Sequence, residues 1–243
     1  MNNRLMPLIC VALMTAGCAN TTHPVYIEKL QPFTEECGAE NDTDYYSPGG
    51  TLDVAAGAPQ FLIVAQVKSL EGSGAPELAL RTGEVLDQAN RNRPQLNQAV
   101  INYRLSKRLG ATPKEFVQNV NVPLSADGMA VVPVQLISPD LGTLLFDSLT
   151  PSNDFDDVVD VTVELEFTGV YSATQTPLTT GVYTYPVRAF RSAPTVTCTA
   201  PQRFVRAPLN MNGVNCSYAG QTTRPDQIAP MPSSCCTPGS AGC

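Results

Sequence analysis

The chain has 243 residues, of which 43% are hydrophobic and 15% charged, with a net charge of −7 at neutral pH. That is enough apolar material for one large β domain or two small ones. The acidic balance argues against nucleic acid or an anionic lipid surface as a general partner, and 21 prolines with 17 glycines favour many turns over long helices.

Residues 1–17 read as a secretory signal. Arg4 gives a positive start, an apolar run follows over 5–13, and Thr15, Ala16 and Gly17 lead small side chains up to Cys18. The run is too short to span a bilayer. Ala16-Gly17-Cys18 resembles the lipobox of bacterial lipoproteins, with Thr15 where that family usually has leucine. The resemblance covers about the first 20 residues. It implies that Cys18 becomes the acylated first residue of the mature chain. Ala19 in place of aspartate resembles an outer-membrane address, with the periplasmic or surface side left open. Two or more acyl chains anchor stably, at ~0.8 kcal/mol per buried CH₂. An ordinary cleaved signal, leaving Cys18 a plain thiol, is the alternative.

Residues 18–48 read as a lipidated tether, polar and acidic through Glu35, Glu36, Glu40, Asp42 and Asp44. The single histidine, His23, falls within it. From residue 49 to 191 the pattern is that of strands. A short first strand covers 51–55, and the nearly continuous apolar run 60–68 suits a central strand covered on both faces. The polar stretch 70–98 reads as a long loop or ragged edge. Ile101, Tyr103 and Leu105 then share one face of a strand over 99–106. Phe116, Val120, Val122 and Leu124 share a face over 116–124, and Ala130, Val132, Val134 and Leu136 do so over 128–137, where Pro133 suits a sheet edge. Leu141, Leu144 and Leu145 after Pro139-Asp140 predict one or two helical turns between strands. Residues 158–172 alternate most clearly, with Val161, Val163, Leu165 and Phe167 inward. Residues 182–190 answer with Tyr183, Tyr185, Val187 and Ala189, which makes a long hairpin.

About seven alternating strands without repeated helices predict an all-β fold, two packed antiparallel sheets in an Ig-like or fibronectin-like sandwich. A Cys-rich tail over 192–243 closes the chain. Discarding Cys10 with the signal and assigning Cys18 to the lipid leaves an even set of disulfide candidates: Cys37, Cys198, Cys216, Cys235, Cys236 and Cys243. If all pair, Cys37 must join the tail; two tail bridges with free thiols are the alternative. Adjacent Cys235 and Cys236 are expected to take separate partners. Gly50-Thr51-Leu52-Asp53-Val54, the hairpin ending Tyr185-Pro186-Val187 and this tail together resemble uncharacterised exported lipoproteins of the myxobacterial type. That resemblance covers roughly 50–243 and brings no activity with it.

Chemistry is sparse. His23 lies outside the strand region, no S-x-x-K, Walker, GxGxxG or HExxH pattern occurs, and no cofactor is expected. Asp154, Asp156, Asp157 and Asp160 form the one dense carboxylate group, a solvated loop in the plain reading and a calcium site or hydrolase pair in the sharper ones. Arg81, Arg91, Arg93, Arg104, Lys107 and Arg108 form a local basic excess, charges on solvated loops in the plain reading and a site for an acidic polysaccharide or an acidic protein patch in the sharper one. The expectation is a membrane-anchored, non-enzymatic module of the cell envelope that binds a protein or polysaccharide, or supports an assembly there. The alternative is an exported hydrolase using the 154–160 carboxylates or a metal.

Overall fold

A computed structural model describes residues 23–33, 46–55, 59–70, 92–125, 127–152, 154, 156–194, 203–206, 221–223 and 233–236, with 203–206 and 233–236 described by backbone alone. Among the described residues, twelve strands and one helix follow in chain order. They are β1 (Val25–Gln31), β2 (Gly50–Asp53), β3 (Phe61–Ser69), β4 (Pro94–Leu105), β5 (Glu115–Pro123) and β6 (Met129–Ile137). Then come α1 (Pro139–Ser148), β7 (Val158–Tyr171), β8 (Pro177–Thr179), β9 (Tyr183–Phe190), β10 (Arg203–Arg206), β11 (Gln221–Thr222) and β12 (Ser233–Cys236).

The fold is all-β and sandwich-like. A three-stranded sheet, β1-β3-β6, faces a larger sheet ordered β11-β2-β9-β7-β4-β5, with β8 added on β7. The two inner faces supply the core. Ile63, Val67, Val132 and Leu136 come from the small sheet, and Leu96, Ile101, Val163, Leu165, Phe167 and Val187 from the large one. Burying such side chains stabilises the domain by roughly 1.5–3 kcal/mol each. One pair, β2 with β9, is parallel, where the sequence reading had every strand antiparallel.

Three boundaries differ from the sequence reading. The stretch 18–48, expected as a tether, contains β1, whose Val25 and Leu30 are fully buried. A register shift between Ile27 and Lys29 moves the buried apolar positions from odd, Val25 and Ile27, to even, Leu30, and polar Lys29 and Gln31 are buried beside it, which hides the alternation. The same effect hides the start of β4, which runs from Pro94 rather than from within 99–106: a shift between Leu96 and Gln98 moves burial from Leu96 to Ala99. The boundary at 192 differs too, since the tail adds a strand to the large sheet. Its β11 pairs with β2, while β10 and β12 make a two-stranded sheet of their own.

Helix α1 is longer than the one or two turns expected, at 10 residues. Ser138 caps it by accepting from the Leu141 N–H at 3.2 Å, and Pro139 opens it where a missing N–H costs nothing. Arg191 closes the other end. It donates to the Phe146 carbonyl at 2.9 Å and stacks 3.7 Å from the Phe146 ring, a cation placed at the negative end of the helix.

Polar side chains join the sheets where backbone pairing stops. The Gln118 amide on β5 accepts from Gln135 N–H at 3.0 Å and donates to the Pro133 carbonyl at 3.3 Å, along the free edge of β6. Gln221 does the same for Leu62, at 2.9 and 2.6 Å, beyond the last β1 partner on β3. Ser47, also in the expected tether, is buried and lies 2.6 Å from the Tyr185 hydroxyl. Its own hydroxyl faces two acceptors, Gly49 and Thr223 carbonyls, so Tyr185 must be the donor to Ser47. Tyr185→Phe is expected to lose about 1 kcal/mol in urea unfolding. A loss too small to measure would mean that the bond adds nothing net.

Candidate functional site

The residues that the sequence singled out do not assemble into one centre. Asp157 accepts from Lys107 at 3.0 Å and from Thr150 N–H at 2.8 Å. Asp160 accepts from Arg188 at 2.8 Å, and Asp156 accepts from the Ser152 hydroxyl at 3.0 Å. Asp154 is engaged through its N–H, which donates to Ser152 Oγ at 3.1 Å. Each of the three bonded carboxylates thus has its own protein donor. Among the described residues, no group of three or more His, Cys, Asp or Glu converges as a metal site would require.

The basic excess is divided in the same way. Arg104 pairs with Glu164 at 2.6 Å across β4 and β7, and Lys107 with Asp157. The basic run and the 154–160 carboxylates thus meet through the Lys107–Asp157 pair. Arg81 and Arg91 lie outside the described residues, as do Cys18, Cys37, Cys198, Cys216 and Cys243. Cys235 and Cys236 are placed in β12 by backbone, opposite Phe204 and Arg203. Among the described residues, no helix is long and apolar enough to cross a membrane.

The Thr150 N–H first, and Lys107 second, hold the Asp157 carboxyl below its usual range. A depressed folded value contributes stability above the unfolded carboxylate range, near pH 3.9, and loses it as pH falls through the folded value. Asp157→Asn is therefore expected to flatten slightly the acid limb of a melting-temperature profile. The effect is small because the pair is largely solvated. An unchanged acid limb would show that the ion pair carries no linkage.

A different constellation is built on the outer face of the large sheet. An open groove of about 640 Å³ runs across β5, β4, β7 and β8, lined by Asn97, Gln98, Asn119, Asn121, Thr168 and Thr179, with Gly169, Pro177 and Leu178. Its volume falls within the ~300–1,000 Å³ of small-ligand sites. Three backbone irregularities meet there. Asn97 is the extra residue of β4 in its pairing with β7, while against β5 the insertion falls on the β5 side, where Val120 and Asn121 lie opposite Asn97. Asn121 sits at φ 50° inside β5, a left-handed conformation that asparagine tolerates better than most residues. Gly169 leaves room for β4: a Cβ there would stand 1.9 Å from the Gln95 carbonyl oxygen. Bulges and strained residues concentrate where a strand must re-aim side chains for a ligand.

The lining is uncharged. Gln98 Nε2 approaches Asn119 Oδ1 at 3.4 Å; among the described residues the amides of Asn97 and Asn121 have no protein partner. His23 stands behind the rim. Its Nδ1 lies 3.2 Å from Thr179 Oγ1, and its ring packs where Gly181, at φ 71°, has no side chain. The expectation that His23 hangs free in a tether is corrected by this docking, which follows from β1 starting at Val25. Sequence reading missed the groove because Asn and Gln at outward strand positions look like ordinary solvated residues. The usable signal was their density: four amides at 95, 97, 98 and 102 in one strand, and three at 118, 119 and 121 in the next.

No protein-family model, no curated protein and no solved structure matches this chain.

Proposed function

We propose that the chain is an exported, lipid-anchored binding module of the cell envelope, acylated at Cys18 and presenting the amide-lined groove to its partner. The convergence of the Asn97 bulge, left-handed Asn121 and Gly169 on one uncharged groove supports a binding role. The anchor rests on the Ala16-Gly17-Cys18 sequence, and the outer-membrane address on Ala19. The even set of six remaining cysteines fits export to an oxidising compartment.

An anchor at Cys18 has a mechanical consequence. β1 begins at Val25, so the tether is at most about 25 Å long even when fully extended. The sandwich is then held close to the bilayer, with the His23 end nearest to it. The test is fractionation of cells expressing Cys18→Ser. The expected outcome is loss of palmitate labelling and release from the membrane fraction. A variant that stays membrane-bound and fully processed sinks the lipid anchor.

A hydrolase remains the second reading, and it now rests on other residues. The 154–160 carboxylates are held by Lys107, Arg188 and Ser152, which speaks against opposed catalytic carboxyls. The Thr179–His23 contact is the hydroxyl–imidazole pair that such a reading requires. His23→Ala abolishing a hydrolytic activity of the purified protein would favour it over the binding module.

A further inference from the structure

The geometry points to a neutral, polyhydroxylated ligand, a stretch of uncharged polysaccharide, as the occupant of the groove. The inference rests on the binding-module reading and adds the chemical class. Every polar side chain lining the groove is an amide or a hydroxyl, and none is a cation or a carboxylate. Each amide presents a donor and an acceptor side by side, and each threonine hydroxyl does both from one atom. Vicinal sugar hydroxyls have the same paired character, so one ring satisfies several of these groups at once. Neutral hydrogen bonds with water as competitor are worth little singly, about 0.5–1.5 kcal/mol net, so binding needs such a row of them. Asn97, Gln98, Asn119 and Asn121 supply that row across two strands.

The apolar part of the lining completes the match. Pro177 is exposed on β8 beside Thr179 and gives a flat aliphatic surface for the C–H face of a sugar ring, while Gly169 keeps the floor low. An acidic polymer fits worse. No lysine or arginine lines the groove, Arg104 is engaged by Glu164, and Glu164 and Glu166 stand on the same strand as Thr168. A polyanion would face repulsion there without a compensating cation.

Native affinity electrophoresis of the detergent-solubilised full lipoprotein tests this. The gel matrix carries laminarin, xylan or galactomannan as neutral polymers, or alginate as the acidic one. The acidic protein migrates toward the anode in each case. Retardation by at least one neutral polymer is expected, none by alginate, and at least tenfold weaker apparent affinity in Asn97→Ala/Asn119→Ala. Thr184→Ala, on the exposed face of β9 outside the groove, serves as the control and is expected to bind like the parent. Retardation by alginate, retention of neutral binding by the double variant, or retardation by no neutral polymer overturns the inference. A photo-crosslinker at Asn121 that captures one defined envelope protein would also overturn it, yet leave the binding-module reading standing. Failure of Cys18→Ser to leave the membrane bears on the anchor alone.

Discussion

Asp53→Ala is expected to lower the unfolding free energy by about 3–5 kcal/mol, and the melting temperature by roughly 10 °C. Asp53 is fully buried at the end of β2, and its carboxylate is where the N-terminal part of the large sheet is tied to the end of β9. Oδ1 accepts from the Ala55 N–H at 3.0 Å and the Ser192 N–H at 3.0 Å, and Oδ2 accepts from the Ser192 hydroxyl at 2.5 Å. Alanine removes all three acceptor contacts at once and leaves two backbone donors in a site that water does not reach. Each unsatisfied buried donor costs about 1–3 kcal/mol, which sets the estimate. Asp53→Asn is the informative companion. Its remaining carbonyl oxygen still accepts from both N–H groups, and the Ser192 hydroxyl turns to accept from the new NH₂. Most of the loss should therefore be recovered. Equilibrium denaturation at constant m-value decides the matter; equal stability of the alanine and parent proteins would remove Asp53 from its structural role.

Gly169→Ala comes next, with an expected loss of about 3 kcal/mol and a measurable change at the groove. The new methyl would be directed at the Gln95 carbonyl oxygen from 1.9 Å, and the next contacts, at 2.9 and 3.0 Å, are also backbone. Backbone atoms within a paired strand cannot rotate aside as a side chain would. β4 and β7 must therefore separate locally, next to Asn97, the extra residue in the pairing of these two strands. Hydrogen exchange should report this as faster exchange of amides in 94–99 and 167–171. Urea unfolding should give the lost stability. Unchanged exchange in both segments would show that the close approach is not needed to hold the bulge.

Much of the fold was legible because its central strands keep strict period-two alternation. Val161, Val163, Leu165 and Phe167 on β7, and Tyr185, Val187 and Ala189 on β9, were read as inward and are buried. Pro133 was read as an edge residue, and β6 is the edge of its sheet. Tyr183 was placed inward beside Tyr185 and is only partly buried there, at the start of β9. Parity reading failed where one residue is inserted. The bulge at 27–29 turns odd inward positions into even ones, and the bulge at 96–98 turns even ones into odd. A strand then looks like a polar loop, so β1 was assigned to the tether and the start of β4 to a ragged edge.

The functional residues divide along the same line. Cys18 and the acidic and basic clusters are composition and motif signals, and a linear reading finds them. Which charges meet is a matter of register. Tyr103 opposite Val163 and Arg104 opposite Thr162 set β4 against β7 so that Arg104 reaches Glu164, and the chain after β4 brings Lys107 to Asp157. No rule of spacing connects positions 107 and 157 in the absence of that pairing.

The sequence by itself determined the all-β class, the inward faces of the regular strands and the short crossover helix. Each of these is a local property, set by side-chain period or by a run of neighbouring residues. Only the tertiary structure decided the parallel β2–β9 pair, the use of β1 and β11 as parts of the sandwich, the buried roles of Asp53 and Ser47, and the groove. These depend on contacts between residues far apart in the chain, Asp53 with Ser192 and Ser47 with Thr223 among them. Polar residues that local pattern assigns to solvent are drawn inside wherever distant backbone donors and acceptors would otherwise be left without partners.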